Sequence, residues 1–201
     1  MNPLPKIDLC QLHKADYVAP KKPVLLTIAS AQYLVIDGQG APGGKVFQTR
    51  IGALYGIAFT VKMTRKFAGH QDYTVSKLEA QYLSCCAQTQ PEQWRWKLLI
   101  RTPEFITRAD LQQAAAALLK KGKAPEVNDV HLETIAPGPC VQLLHVGPYD
   151  QVEKAITVMK TFAGQKGLKL TGPHHEIYVS DPRRVAPEKL KTIIREPVAP
   201  A

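Results

Sequence analysis

The chain repeats itself, and the repeat limits the possible folds more than any other feature of the sequence. Thr27-Ile28-Ala29 recurs as Thr134-Ile135-Ala136. At the same spacing Leu34 and Ile36 fall on Val141 and Leu143, and Gly40 falls on Gly147. In the first copy, residues 24–29 and 33–36 read as strands joined by Ser30-Ala31-Gln32 and closed by Asp37-Gly38-Gln39-Gly40. In the second, residues 130–135 and 140–146 flank Ala136-Pro137-Gly138-Pro139 and restate that strand pair.

Each pair is followed by a helix signal. Phe47, Ile51, Leu54, Ala58 and Val61 are spaced as one apolar stripe, and Gly69-His70 ends it. Val152, Ile156, Met159 and Ala163 repeat the stripe, with Asp150 and Glu153 placed to cap its start. Residues 73–82 and 94–100 then read as strands on either side of a turn containing Pro91, and Thr107-Arg108-Ala109-Asp110 reads as a capping box opening a helix through the alanine tract to Gly122. Residues 96–103 lie over 175–182, each stretch ending in a polar residue and then Pro, and a last helix is expected from Pro187.

The predicted class is α+β: a duplicated strand-helix-strand-strand module with pseudo-twofold symmetry and an antiparallel sheet with helices on one face. Repeat 1 spans about residues 23–122 and repeat 2 about 127–198, after an N-terminal arm, residues 1–22, in which Tyr17 and Val18 are expected to pack. The face away from the helices is expected to carry a central ligand cleft.

The candidate site centres on His174-His175-Glu176-Ile177-Tyr178. As a strand it puts His174, Glu176 and Tyr178 on one face and His175 and Ile177 on the other. Glu79, Trp94, Trp96, His145 and Tyr149 are expected to join Glu176 and Tyr178 in the cleft. Aromatic walls around a carboxylate suit a lipophilic, cationic or electron-poor aromatic guest. A glutamate among rings is expected to have a raised pKa, useful in proton transfer. Each residue also has a plainer reading: the tryptophans as core, Tyr149 as a turn residue, His145 as a partner of the backbone.

Several classes are argued against. The six histidines are scattered and the four cysteines lack C-x-x-C spacing, so no metal or other cofactor is expected and the thiols are read as reduced. No apolar run is long enough to span a membrane and the N-terminus lacks a secretory signature, so the reading is cytoplasmic. The net charge of +9 is spread along the chain, which argues against nucleic acid; its densest run is Arg183, Arg184, Lys189, Lys191 and Arg195.

His145-Val146-Gly147-Pro148-Tyr149, residues 174–182 and residues 187–195 together resemble the stand-alone gyrase-inhibitor-like proteins, over roughly residues 18–198. The resemblance implies a small-molecule-binding domain like that of multidrug-sensing regulators, with Glu176 as the acidic residue of drug recognition. It further implies a hydrolase that opens the cyclopropane of DNA-alkylating toxins; Glu176 or Glu79 is expected to activate water and a phenol such as Tyr149 or Tyr178 to assist. Trp94, Trp96 and His145 complete the implied pocket. The alternatives are a drug-sequestering protein without chemistry and a modulator of DNA gyrase, the latter supported only by the basic run.

Overall fold

The structure, a computed structural model, describes residues 5–84 and 90–201. The Met1–Leu4 end and the Cys85-Cys86 thiols lie outside the described residues. In chain order the elements are α1 (Leu9–Leu12), α2 (Lys14–Tyr17), β1 (Val24–Ile28), β2 (Ala31–Gln39) and α3 (Lys45–Phe67). Then come β3 (Leu78–Ser84), β4 (Arg95–Arg101), α4 (Arg108–Lys120), β5 (His131–Ile135) and β6 (Gly138–Val146). The chain ends with α5 (Val152–Gly164), β7 (Leu168–Leu170), β8 (His174–Tyr178) and β9 (Lys191–Pro200).

The nine strands make one antiparallel sheet in the order β1-β6-β9-β8-β3-β4-β2-β5, with β7 added along β9. The α+β class and the duplicated plan are as the sequence implies. The pairing within each copy is not. β1 pairs with β6 and β5 with β2, so each repeat lends its first strand to the other. A two-residue hairpin needs positive φ in its link, which Gly, Asn or Asp supply. Ala29-Ser30 and Ala136-Pro137 offer neither residue type, and Pro137 cannot donate to a ladder.

The exchange also bends the sheet. β1 and β2 lie at or beside opposite ends of the strand order, yet Ile28 and Ala31 are separated by at most about 11 Å of chain. The ends must therefore curl toward each other. This gives the sheet an inner face and an outer, helix-bearing face.

Helices cover the outer face in two patches. On one side α3 and α4 bury Phe47, Leu54, Ile57, Val61, Leu111 and Leu118 against Leu34, Ile36, Trp96, Leu98 and Ile100. On the other, α5 packs Val152, Ala155 and Met159 on Val141, Leu143 and Ile194. α3 follows its apolar stripe and ends at Gly69, whose φ of +76° turns the chain out. α4 opens with the expected capping box, Thr107 and Asp110 exchanging hydrogen bonds.

Local expectations fail where tertiary contacts win. Residues 73–77 are not strand; Tyr73 makes an isolated bridge with Ile7 and is buried. Asp150 does not cap α5, which is entered through a 3-10 turn, Tyr149–Gln151, with Gln151 at the cap. The expected helix at Pro187 is a single 3-10 turn, Pro187–Lys189, because residues 191–200 are needed as the strand between β6 and β8. In the arm Tyr17 is buried and Val18 exposed; α1 and α2 lie on the inner face, where Tyr17 and Ala19 meet Ile177 and Ile193.

Gly38 sits directly over the Trp96 indole: a Cβ there would lie 2.0 Å from a ring carbon. Gly38→Ala is expected to cost about 1–3 kcal/mol in urea unfolding, the range for overpacking. Thr107→Ala, which removes only a cap, is expected to cost about 1 kcal/mol.

Candidate functional site

Strand alternation and register fix which side chains meet. Ala80 lies opposite Glu176 and Tyr82 opposite His174, while Ile194 and Thr192 lie opposite Glu176 and Tyr178. These residues share the outer face, in the gap between the α3–α4 patch and the α5 patch. The candidate cleft is therefore on the helix-bearing side. This corrects the expectation of a cleft on the face away from the helices.

At its floor three ionisable groups form a line. His174 Nδ1 lies 2.5 Å from Glu196 Oε1, and its Nε2 lies 3.0 Å from Glu176 Oε1. Carboxylates only accept, so the ring donates from both nitrogens and carries a proton on each. Burial pulls the imidazole pKa down, but the hydrogen bonds and charges of Glu176 and Glu196 outweigh it and raise it from 6.5 to about 9. Glu176 is buried, its side chain 9% exposed, and the line of two carboxylates and one imidazolium leaves one net negative charge.

Aromatic rings surround this floor. The Tyr178 and Tyr82 hydroxyls share a hydrogen bond at 3.0 Å, and Tyr178 lies within reach of the Glu176 charge. Tyr149 sets its ring edge-on to Tyr178 at 5.6 Å, Trp94 meets Tyr82 at 6.0 Å, and His174 lies 5.6 Å from Tyr82. Burial and the Glu176 charge push the Tyr149 phenol up, and Tyr178 well up. The buried Thr192 Oγ1, opposite Tyr178, has no hydrogen-bond partner among the described residues.

Glu176, Tyr178, Tyr149 and Trp94 are thus brought together, and Glu79, Trp96 and His145 are used elsewhere. Trp96 is fully buried under α3, edge-on to Phe47 at 4.8 Å, with its N–H donated to the Gly40 carbonyl. His145 donates to the Pro148 carbonyl at 3.1 Å, holding its own turn. Glu79 pairs with Ile177 and so points to the inner face. There it accepts from Tyr17 at 2.8 Å and from His175 Nε2 at 2.9 Å, fully buried.

The expected upward shift does not occur at Glu79. Burial alone would raise its pKa, but the His175 hydrogen bond, Arg195 and the Tyr17 hydroxyl hold it below the ordinary carboxylate value. Burial keeps His175 below its usual value, so it donates as a neutral ring and Arg195 supplies the countercharge. Arg195 itself is 1% exposed, bonded to Gln142 and to the Asp16 carbonyl. It is no part of a basic surface, which removes a member of the run that favoured gyrase or DNA.

His174 and Glu196 were missed as functional residues. Alternation places His174 beside Glu176, but Glu196 joins them only through the β8–β9 register, which local sequence does not carry.

The comparisons agree with the fold. The model for the GyrI-like small molecule binding domain matches residues 22–199, and the chain belongs to that family. An uncharacterized conserved protein from Listeria innocua is 33% identical in sequence, with a TM-score of 0.90 over 96% of this chain and 100% of its own. A hydrolase from Listeria innocua is 35% identical, with a TM-score of 0.87 over 96% of this chain and 100% of its own. The EcmrR C-terminal domain, at 13% identity and a TM-score of 0.59 over 90% of this chain and 98% of its own, shares the fold. No curated protein matches the chain. Among the described residues no helix is long and apolar enough to cross a membrane, and no cluster suited to a metal ion occurs.

Stability should report the charged line directly. The His174 pKa is raised on folding, from 6.5 to about 9, so its stabilisation is fully present below about pH 6.5 and lost as pH rises through about 9. Wild-type unfolding free energy is expected to fall by about 3 kcal/mol across that window, and His174→Gln to flatten the dependence. On the inner face, Tyr17→Phe strips a donor from a buried carboxylate and is expected to cost about 1.5–3 kcal/mol in urea unfolding.

Proposed function

We propose that the protein hydrolyses flat, lipophilic electrophiles, opening the strained cyclopropane of toxins of the cyclopropapyrroloindole type. The observation that carries this reading is the Glu176 carboxylate, buried among tyrosines and oriented by an imidazolium that a second carboxylate anchors. The similarity to a Listeria innocua hydrolase supports it.

The guest stacks on Tyr149 and Trp94, and the net negative floor favours a cationic or electron-poor ring. Tyr149 is 39% exposed and sits on a single turn after Gly147-Pro148, so it is the wall that moves aside for entry. Glu176 accepts a proton from water as the water oxygen bonds to the less hindered cyclopropane carbon. That carbon–carbon bond breaks, and its electron pair passes through the conjugated ring to the carbonyl oxygen. The Tyr149 hydroxyl, which has no hydrogen-bond partner among the described residues, donates to that oxygen and recovers its proton through solvent from Glu176. His174 keeps its own protons throughout and holds the Glu176 carboxyl in place. Glu79 works from behind the sheet, fixing β3 against β8.

With a cyclopropapyrroloindole as probe, loss of the dienone absorbance follows turnover. Glu176→Gln is expected to lower the rate at least about 100-fold while affinity changes only a few-fold. An unchanged rate would remove Glu176 from the reaction. Saturable binding with full recovery of intact toxin from the wild type would make the protein a sequestering one instead.

A further inference from the structure

The inner face carries a line of polar side chains that the groove does not use. Register sets Lys97 opposite Gln81, Gln81 opposite His175, His175 opposite Arg195, and Arg195 opposite Gln142. The line crosses five adjacent strands, from β4 through β3, β8 and β9 to β6, at about 5 Å per step. At its middle the curl of the sheet leaves a cavity of about 220 Å³. Gln81, His175 and Arg195 line it on the sheet side, and Pro137, Pro173 and Pro197 wall it elsewhere.

These three polar residues are 7%, 2% and 1% exposed, yet the protein uses only part of their bonding capacity. Arg195 commits Nε to Gln142 and one terminal nitrogen to the Asp16 carbonyl, and His175 commits Nε2 to Glu79. Among the described residues the second terminal nitrogen of Arg195, His175 Nδ1 and the Gln81 side-chain amide make no hydrogen bond. These free donors and acceptors are not sealed in the core: they belong to three side chains that line one cavity, where a guest can reach them.

We propose that this cavity is a second ligand site and takes a small carboxylate, one oxygen on the Arg195 guanidinium and the other between Gln81 and His175. Charge then fixes how it binds. The groups around His175 are Glu79 and Gln81 on β3, Arg195 on β9, Tyr17 of α2 behind Glu79, and His174 on the far face of its own strand. Beyond them Asp16 and Arg101 neutralise each other at 2.8 Å. Glu79 and Arg195 already cancel, so a carboxylate alone would bury one net negative charge. Protonation of His175 at Nδ1 restores neutrality and makes that nitrogen a donor. His175 then lies between two carboxylates, the arrangement His174 has on the groove face.

The test is an acetate titration of the wild-type protein, read from the ring resonances of His175 and compared with sodium chloride at equal ionic strength. A saturable shift is expected with acetate and not with chloride, with an apparent Kd that rises about tenfold per pH unit where the free His175 is neutral. Gln81→Leu, which breaks no bond within the protein, is expected to weaken it at least about tenfold. A shift that chloride reproduces, that is independent of pH, or that survives intact in Gln81→Leu would overturn the proposal. So would the absence of any saturable shift, which would mean the cavity holds water only.

Discussion

The hydrogen-bonded line Glu196–His174–Glu176 is what the groove depends on. Two carboxylates at the floor of an aromatic recess would repel each other and resist burial, and one would take up a proton. The imidazolium between them removes that conflict with one proton and two hydrogen bonds. Glu176 is thereby buried and fixed in direction, which exposed glutamates are not. The hydrogen-bonded pair Tyr82 and Tyr178 completes its surroundings from the other side.

The same strand is held from behind by a matching but differently charged arrangement. His175 and Glu79 meet on the inner face, where Arg195 supplies the positive charge and Tyr17 of the arm supplies a further donor. β8 therefore has no freely solvated face, and it lies between β3 and β9, one from each repeat. Rigidity of the floor follows from this double anchoring. Tyr149, on a turn between β6 and α5, is left as the adaptable wall. A fixed acid beneath a movable ring is a sensible division for a site that must admit bulky aromatic guests and still orient one carboxylate.

Most of what local sequence could carry, it carried. The stripe from Phe47 to Val61 and the Thr107–Asp110 box depend on neighbours a few residues apart, and both appear as read. Alternation along residues 174–178 placed Glu176 and Tyr178 together for the same reason. Apart from the missed Asp150 cap of α5, the failures are matters of register and partner. Glu79 and Glu176 were assigned one face, but Ala80, not Glu79, lies opposite Glu176. Trp96 shares the groove's side of the sheet yet is spent under α3, because Gly38 opens a slot for its indole. The exchange of β1 and β5 between repeats was written only in what the links lack, and residues 191–200 became strand because β6 and β8 needed a common neighbour.

The most direct test is a crystal structure of the protein with a flat aromatic cation such as ethidium bound. The account predicts the cation between the helix patches, stacked on Trp94 and a displaced Tyr149, with its charge against the Glu176 carboxylate and His174 still bridging Glu176 and Glu196. A cation seated on the inner face, or on the surface with the tyrosines over Glu176 undisturbed, would contradict it.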